Sequence, residues 1–333
     1  MSIHYLRSTR IIGHRPLVAQ IRHDFGALVD PFRLHAPHPD LLAGVWMACR
    51  ESELVGRVPR MQKEVVAVSV SHLNRCAYCV DAHTVMLHAL TQHWVARSVH
   101  AGGEQRKLAP DLQRLVAWAE ATSTPGASIL RTPPFALAEG PEIIGTAVFY
   151  HYINRMVAVL LDPSPLPSLP TLFDAGSARF AGFWFRRAAR RMKQPGLALQ
   201  FLPKAELPPD MAWAKPNPII AAAFARWATV VDHVGAQVLP APVREVTQRS
   251  LAAWNGAPPP LGQAWLTPIL AELPAVHHAV ARLVILTAMA PYRVDAATVA
   301  AFQSVLAGDE ALLGALAWAS FMAARRVGSW LSI

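Results

Sequence analysis

Four side chains in one short stretch carry the parts of a thiol redox centre. Residues 63–90 read KEVVAVSVSHLNRCAYCVDAHTVMLHAL and include Glu64, Cys76, Cys79 and His83. Cysteines three apart fall on one face of a helix, and a histidine four past the second shares that face. Asn74, just ahead of the first cysteine, is a candidate N-cap. A helix capped there holds Cys76 in its first turn, where free backbone N–H groups and the helix dipole favour a thiolate. His83 is placed one turn beyond Cys79 to take or return that thiol's proton. Glu64, on the preceding segment, is placed to orient or recharge the imidazole. A dithiol, a base and a carboxylate are what thiol–disulfide exchange or peroxide reduction requires.

The same residues admit other chemistry. Val65, Val66, Val68 and Val70 are β-branched and have strand propensity, so a strand feeding a Cys-x-x-Cys helix, as in thioredoxin, is one alternative. The motif lacks a Gly-Pro centre, and no β–α–β alternation follows it. A zinc site is another, with Cys76, Cys79 and His83 as ligands and Glu64, His72 or His88 as the fourth, although one helix rarely supplies three ligands to a tetrahedral ion. The third is inert burial, since free cysteine packs as a small hydrophobe.

The stretch resembles the AhpD alkylhydroperoxidase and carboxymuconolactone decarboxylase superfamily. The family pattern is Glu, eleven residues, then Cys-x-x-Cys-x-x-x-His, and Glu64, Cys76, Cys79 and His83 match it at every position. The resemblance implies that Cys79 is the attacking thiol, activated by His83, which is linked through water to Glu64, with Cys76 as the disulfide partner. AhpD has a histidine just before its second cysteine; Tyr78 stands there in this chain. The decarboxylase branch lacks the cysteine pair and matches less well. The implied fold is an all-α, AhpD-like helical bundle, and the implied assembly a homo-oligomer. The implied activity is that of a thiol peroxidase or thiol–disulfide oxidoreductase. A carboxymuconolactone-decarboxylase-like lyase and a non-enzymatic redox-sensing or partner-binding protein are the alternatives.

The rest of the chain must hold these groups in place. It has 333 residues, 53% hydrophobic and 16% charged, enough for a large core and incompatible with global disorder. Three cysteines cannot all pair with one another, so a disulfide-stapled secreted fold is not expected. Cys49, the odd one, reads as core, and a reducing cytoplasm fits best. The N-terminus lacks the apolar run of a signal peptide, and no spanning helix is expected. No flavin, haem or nucleotide fingerprint is visible, so no cofactor and no metal are expected. Electrons must come from an external protein or small thiol to reduce a hydroperoxide or disulfide substrate. The charge of +9 permits an anionic partner, but no nucleic-acid-binding signature accompanies it.

Prolines divide the chain into an N-terminal arm (1–36), the domain carrying the motif (37–161), a connector (162–216) and a C-terminal helical part (217–333). Helices are predicted around Pro16 to Leu28, from Leu41 to Leu54, from the motif through Leu90, from Pro110 to Ala121, and from Gly140 to Leu161. The last contains FYHYINRM, like the family's closing helix, with His151, Asn154 and Arg155 as candidates to line the site. Residues 179–193 pattern as a basic amphipathic helix, read either as a membrane-surface segment or as an inter-domain helix with a solvated face. The C-terminal part reads as a degenerate second repeat: Arg244, Glu245 and Val246 fall under Lys63, Glu64 and Val65, and Asn255 under Asn74. Ala257, Pro260 and Ala264 stand where Cys76, Cys79 and His83 would be. Such a copy keeps the helical frame without the thiols and serves as an internal substitute for a second subunit.

Overall fold

The computed structural model describes residues 3–9, 11, 13–91, 93–100, 108–163 and 191–331. Among them there is no strand, and the all-α expectation holds. Helices of eight residues or more in the N-terminal half are α1 (Arg15–Phe25), α2 (Pro39–Cys49), α3 (Arg60–Leu73), α4 (Ala77–Leu90), α5 (His93–His100), α6 (Pro110–Glu120) and α7 (Gly140–Leu160). Those of the C-terminal half are α8 (Pro218–Val238), α9 (Ala241–Ala253), α10 (His278–Met289), α11 (Ala296–Gln303) and α12 (Asp309–Gly328).

The valine-rich segment shows how packing decides against local propensity. Val65 to Val70 lies within α3, which starts right after Pro59 and is buried continuously from Lys63 to Ser71. Three helices, α4, α6 and α7, pack around it. A helix enclosed on all sides is stabilised by burial rather than by intrinsic preference. The helix predicted over Leu41 to Leu54 starts at Pro39 and changes after Cys49 into one π-helical turn, Arg50–Leu54. Such turns commonly mark functional sites. Here the turn carries Arg50, Glu51 and Glu53, all buried.

α7 is the central element. Nearly every one of its 21 residues is buried, and it packs on α3 on one side and α12 on the other. α7 and α8 are long and apolar enough by composition to cross a membrane, but α7 is almost wholly enclosed by protein and α8 more than half so. α2 and α8 lie close together because Gly44 leaves room: a Cβ there would sit 2.6 Å from Cδ1 of Trp227. Around that contact Trp227 packs with Phe149, Tyr152, Phe224 and Phe321, joining the two halves in one hydrophobic core.

The N-terminal arm is tied to both halves. The backbone N–H of His4 donates to Leu160, the His4 ring pairs with Asp162 at 2.8 Å, and the backbone N–H groups of Arg7 and Ser8 donate to Asp309. Beneath it, Arg50 binds Asp24 of α1, Glu51 and the carbonyl of Gln194. Most of the basic segment 179–193 lies outside the described residues. The connector beyond it is irregular, with 3-10 turns at Leu197–Phe201 and Pro209–Ala214.

Candidate active site

Asn74 does not cap the dithiol helix. It closes α3, its backbone N–H donating to Val70, and Arg75 then turns the chain with a positive φ of 57°. Cys76 takes the N-cap position of α4 and donates its own N–H to Ser71. The sequence reading therefore placed the cap two residues too early. The side chain of Asn74 turns instead toward α7, donating to His151 Nδ1 at 3.2 Å and to Asn154 Oδ1 at 3.0 Å. Cys79 thus becomes the third residue of α4, inside the first turn, and Cys76 stands at its mouth.

Both thiols are free and buried, with 4% and 3% of their surface exposed. Burial pushes the Cys79 thiol well up, the neighbouring Cys76 pushes it further, and the Asn154 side chain works the other way. Cys79 therefore rests as a thiol and needs a base before it can attack.

The imidazole and the carboxylate meet directly, where the resemblance implied a water between them. His83, one turn beyond Cys79 on α4, contacts Glu64 of α3 through Nδ1 at 2.7 Å. Four further residues join the network. The Tyr150 hydroxyl, from α7, lies 2.9 Å from His83 Nε2 and 3.1 Å from both carboxylate oxygens of Glu53. Arg60 bridges the two acids, through Nε to Glu64 at 2.8 Å and through Nη2 to Glu53 at 2.9 Å. Cys49 donates to Glu53 at 3.5 Å. Burial drives Glu64 up, but Arg60 and His83 outweigh it and hold the carboxylate below its ordinary range. Burial raises Glu53, and the charge of Glu64 adds to the rise against the pull of Arg60. Burial and the two acids together push the Tyr150 hydroxyl well above the phenol range. Glu53 is thus shifted toward its protonated form and Glu64 toward its charged form.

Sequence reasoning missed Glu53, Arg60 and Tyr150 as site residues. Two carried a readable signal: Glu53 stands with Glu51 at the end of an apolar run, and Arg60 stands four before Glu64, one helical turn away. Tyr150 carried none beyond its place in FYHYINRM. Of the polar residues noted there, His151 and Asn154 reach the dithiol side through Asn74. Arg155 instead points to the other half, donating to Ala288 at 2.9 Å and lying over Trp254. Glu142 is a separate structural anchor, paired with Lys63 and accepting from the backbone of Arg57 and Val58.

Glu53, Glu64 and His83 offer ligand atoms within 4.8 Å of one another, a grouping of metal-ligand type. Arg60 already occupies both carboxylates, so a divalent cation would have to displace a buried guanidinium. Cys76, Cys79 and His83 form no such grouping among the described residues. A surface cleft of about 810 Å³, lined by Thr9, His14, Arg15, Arg22 and Leu28 among others, includes none of the candidate residues.

Residues 40–91, which span the π turn, α3 and α4, match the model of the carboxymuconolactone decarboxylase family. The chain is also similar to a protein of Mycobacterium tuberculosis described as an alkyl hydroperoxide reductase. The two are 42% identical over 313 residues, covering 94% of this chain and 89% of that protein. With the all-helical fold and the Glu64–Cys76–Cys79–His83 pattern, these similarities show that the chain belongs to the carboxymuconolactone decarboxylase family, on its AhpD-like side.

Proposed function

We propose that this protein is an AhpD-like thiol peroxidase that reduces hydroperoxides through Cys79 and Cys76. The observation that carries the reading is the neighbouring pair of free thiols at the start of α4, one turn ahead of a histidine fixed on a buried carboxylate. The similarity to the mycobacterial alkyl hydroperoxide reductase over nearly the whole chain supports it. The Cys79 thiolate attacks the distal oxygen of a hydroperoxide. The O–O bond breaks, leaving a Cys79 sulfenic acid and an alcohol. Cys76 then attacks the Cys79 sulfur, an S–S bond forms and water leaves. An external protein dithiol or small thiol reduces the disulfide and completes the cycle. The free state of all three cysteines fits a reducing, cytoplasmic compartment.

The acid–base work falls to His83. The hydrogen bonds described for it go to Glu64 and Tyr150 and not to Cys79. Proton exchange between them therefore runs through a bridging oxygen, of water or of the hydroperoxide itself. When His83 is neutral, the Tyr150 hydroxyl donates to Nε2. When His83 holds the proton taken from Cys79, Nε2 donates to the Tyr150 oxygen and the Tyr150 hydroxyl turns its own proton to an oxygen of Glu53, whose charge does not change. Arg60 keeps the pair of acids close to one net charge in either state.

We further propose that the C-terminal half is a copy of the first without the thiols. The starts of α3 and α9 both follow a proline, Pro59 and Pro240, and lie 181 residues apart. The pairs that such a repeat relates, α2 with α8 and α7 with α12, are also the pairs that pack most extensively between the halves. Stopped-flow turnover of an alkyl hydroperoxide with a dithiol reductant tests the main proposal. Loss of turnover in Cys79→Ser is expected. Equal turnover by that variant and the wild type would overturn the thiol mechanism in favour of chemistry independent of the cysteines.

A further inference from the structure

The start of the dithiol helix lies beside a surface built by both halves of the chain. Cys76 is buried, but its neighbours on either side, Arg75 and Ala77, are exposed. Arg75 ends α3 in the left-handed region, in a turn closed by the bond from the Cys76 N–H to Ser71. Glycine is the usual residue at such a position, because a side chain is disfavoured at positive φ. The guanidinium of Arg75 lies over Tyr292, 5.7 Å from the ring centroid, and that of Arg293 approaches the same ring at 5.4 Å. Tyr292 is itself 42% exposed. Arg293 also donates to the carbonyls of Pro259, Pro260 and Gly262, and so holds a loop that carries Leu261, 95% exposed. Arg50, Arg60 and Arg325 each hold carboxylates, whereas Arg75 and Arg293 pair with none among the described residues. Asp295, two residues beyond Arg293, uses a carboxylate oxygen to cap α11.

We propose that Arg75, Leu261, Tyr292 and Arg293 form the docking surface for the protein that reduces the Cys76–Cys79 disulfide, and that this partner is a dithiol protein with an acidic face around its thiols. The inference deepens the peroxidase reading and rests on its oxidised dithiol. Arginine and tyrosine are enriched where protein interfaces concentrate their binding energy, and Leu261 adds apolar area that a small thiol would leave uncovered. Two guanidinium charges without a counter-charge, on a chain of net charge +9, select an acidic partner and speed its encounter. Cys76 is the sulfur set between exposed neighbours, so the partner's thiolate attacks there. The Cys76–Cys79 bond breaks, and Cys79 leaves with the bonding electrons and takes up a proton. The partner's second thiol gives up its proton and attacks the partner sulfur of the mixed disulfide. Cys76 then leaves and is protonated, and the partner departs as a disulfide, having delivered two electrons and two protons. The C-terminal half reaches this surface partly through the stretch 257–264, in which it has no thiols of its own.

The test is the rate at which two synthetic peptides reduce the disulfide, closed beforehand with diamide. Both carry Cys-Gly-Pro-Cys, one flanked by glutamates and the other by lysines. Samples are quenched in acid, alkylated and followed by mass. Comparing the ratio of the two rates between proteins cancels the intrinsic reactivity of each peptide. Arg75→Glu should lower the glutamate-to-lysine ratio by at least about fivefold at low ionic strength, and added salt should shrink that difference. Arg75→Gly suits the positive φ, so it folds, and should lower the ratio about twofold. Leu261→Asp, on an exposed side chain of the other half, should act in the same direction as Arg75→Glu. Arg15→Glu, in the cleft that includes none of the candidate residues, makes the same change in net charge as Arg75→Glu and should leave the ratio at its parental value. A parental ratio in Arg75→Glu, or an equal fall in Arg15→Glu, overturns the proposal. If Arg75→Glu does not fold, a parental ratio in Arg75→Gly overturns it. A parental ratio in Leu261→Asp overturns the part assigned to the loop. An equal or larger fall for mercaptoacetate against mercaptoethanol also overturns the proposal, because the surface would then select a small anionic thiol. The assay uses no peroxide. Failure of the wild type to turn over hydroperoxide would therefore sink the peroxidase reading alone, and reduction blind to charge at Arg75 would sink this inference alone.

Discussion

Replacing Arg60 by methionine is the sharpest perturbation of the acid–base centre. Arg60 is the shared partner of Glu53 and Glu64, whose side chains are both fully buried. Ligand atoms of the two acids lie within 4.8 Å of each other. Two like charges at that separation repel by about 3.5 kcal/mol at an effective dielectric near 20. That equals about 2.5 pKa units, enough for the pair to take up a proton at neutral pH. Removing one partner of a buried ion pair typically costs about 3–5 kcal/mol, and Arg60→Met should lose that much near pH 7.5. In the wild type Glu64 is held below its ordinary range. It stabilises the fold above the unfolded carboxyl pKa, and that contribution fades as pH falls through the lowered folded value. In the variant the carboxyl pKa values rise above the unfolded value, so acid stabilises the variant relative to neutral pH. The difference between the two proteins should therefore shrink toward about pH 5, by up to about 1.4 kcal/mol per unit. Urea midpoints at the two pH values measure it. A loss below about 1 kcal/mol, or one equal at both pH values, refutes the assignment of Arg60 as the common counter-charge.

Alkylation of Cys79 should keep accelerating above the free-thiol range of about 8.5, because burial and Cys76 raise its pKa; a plateau near pH 7 would contradict this. Tyr150→Phe keeps the ring and removes the hydroxyl between His83 and Glu53. It should cost about 1–2 kcal/mol by chemical denaturation and move the pH profile of turnover, and an unmoved profile would exclude Tyr150 from proton transfer. Gly44→Ala places a methyl 2.6 Å from Trp227 Cδ1. It should destabilise by about 1–3 kcal/mol, seen as a lower melting temperature; an unchanged melting temperature would show that α2 and α8 separate freely.

What could be read from the chain follows from the range of the forces involved. Helical period and proline positions are local, and most helix starts and ends fell within a few residues of those expected. The motif Glu64, Cys76, Cys79, His83 is local too, because α3 and α4 are joined by a three-residue turn and must pack side by side. The cap was misplaced because the Asn74 side chain answers to α7, some eighty residues away, rather than to the nearest free N–H groups. Burial is hidden from the sequence in the same way, and burial is what raises the Cys79 thiol. Glu53 and Tyr150 come from two further segments, and only the tertiary arrangement brings them to His83.

α7 explains why so large a C-terminal half accompanies so compact a site. Its Tyr150 serves the His83 side, and its His151 and Asn154 serve the dithiol side, so its position sets both. α3 fixes only one flank. The opposite flank lies on α12, where Ser320 Oγ approaches Met156 Sδ at 3.4 Å and Gly328 lets the helix close on Val148. Arg155, the next residue after Asn154, is anchored on the carbonyl of Ala288 in α10 and stacked over Trp254. A buried apolar helix of this length would expose most of one face if the second half were absent, and the first half would then have to find another surface to cover it. The C-terminal half thus bears on the site through α7: it packs on the flank opposite α3, and α7 carries Tyr150 to His83 and Asn154 to Asn74.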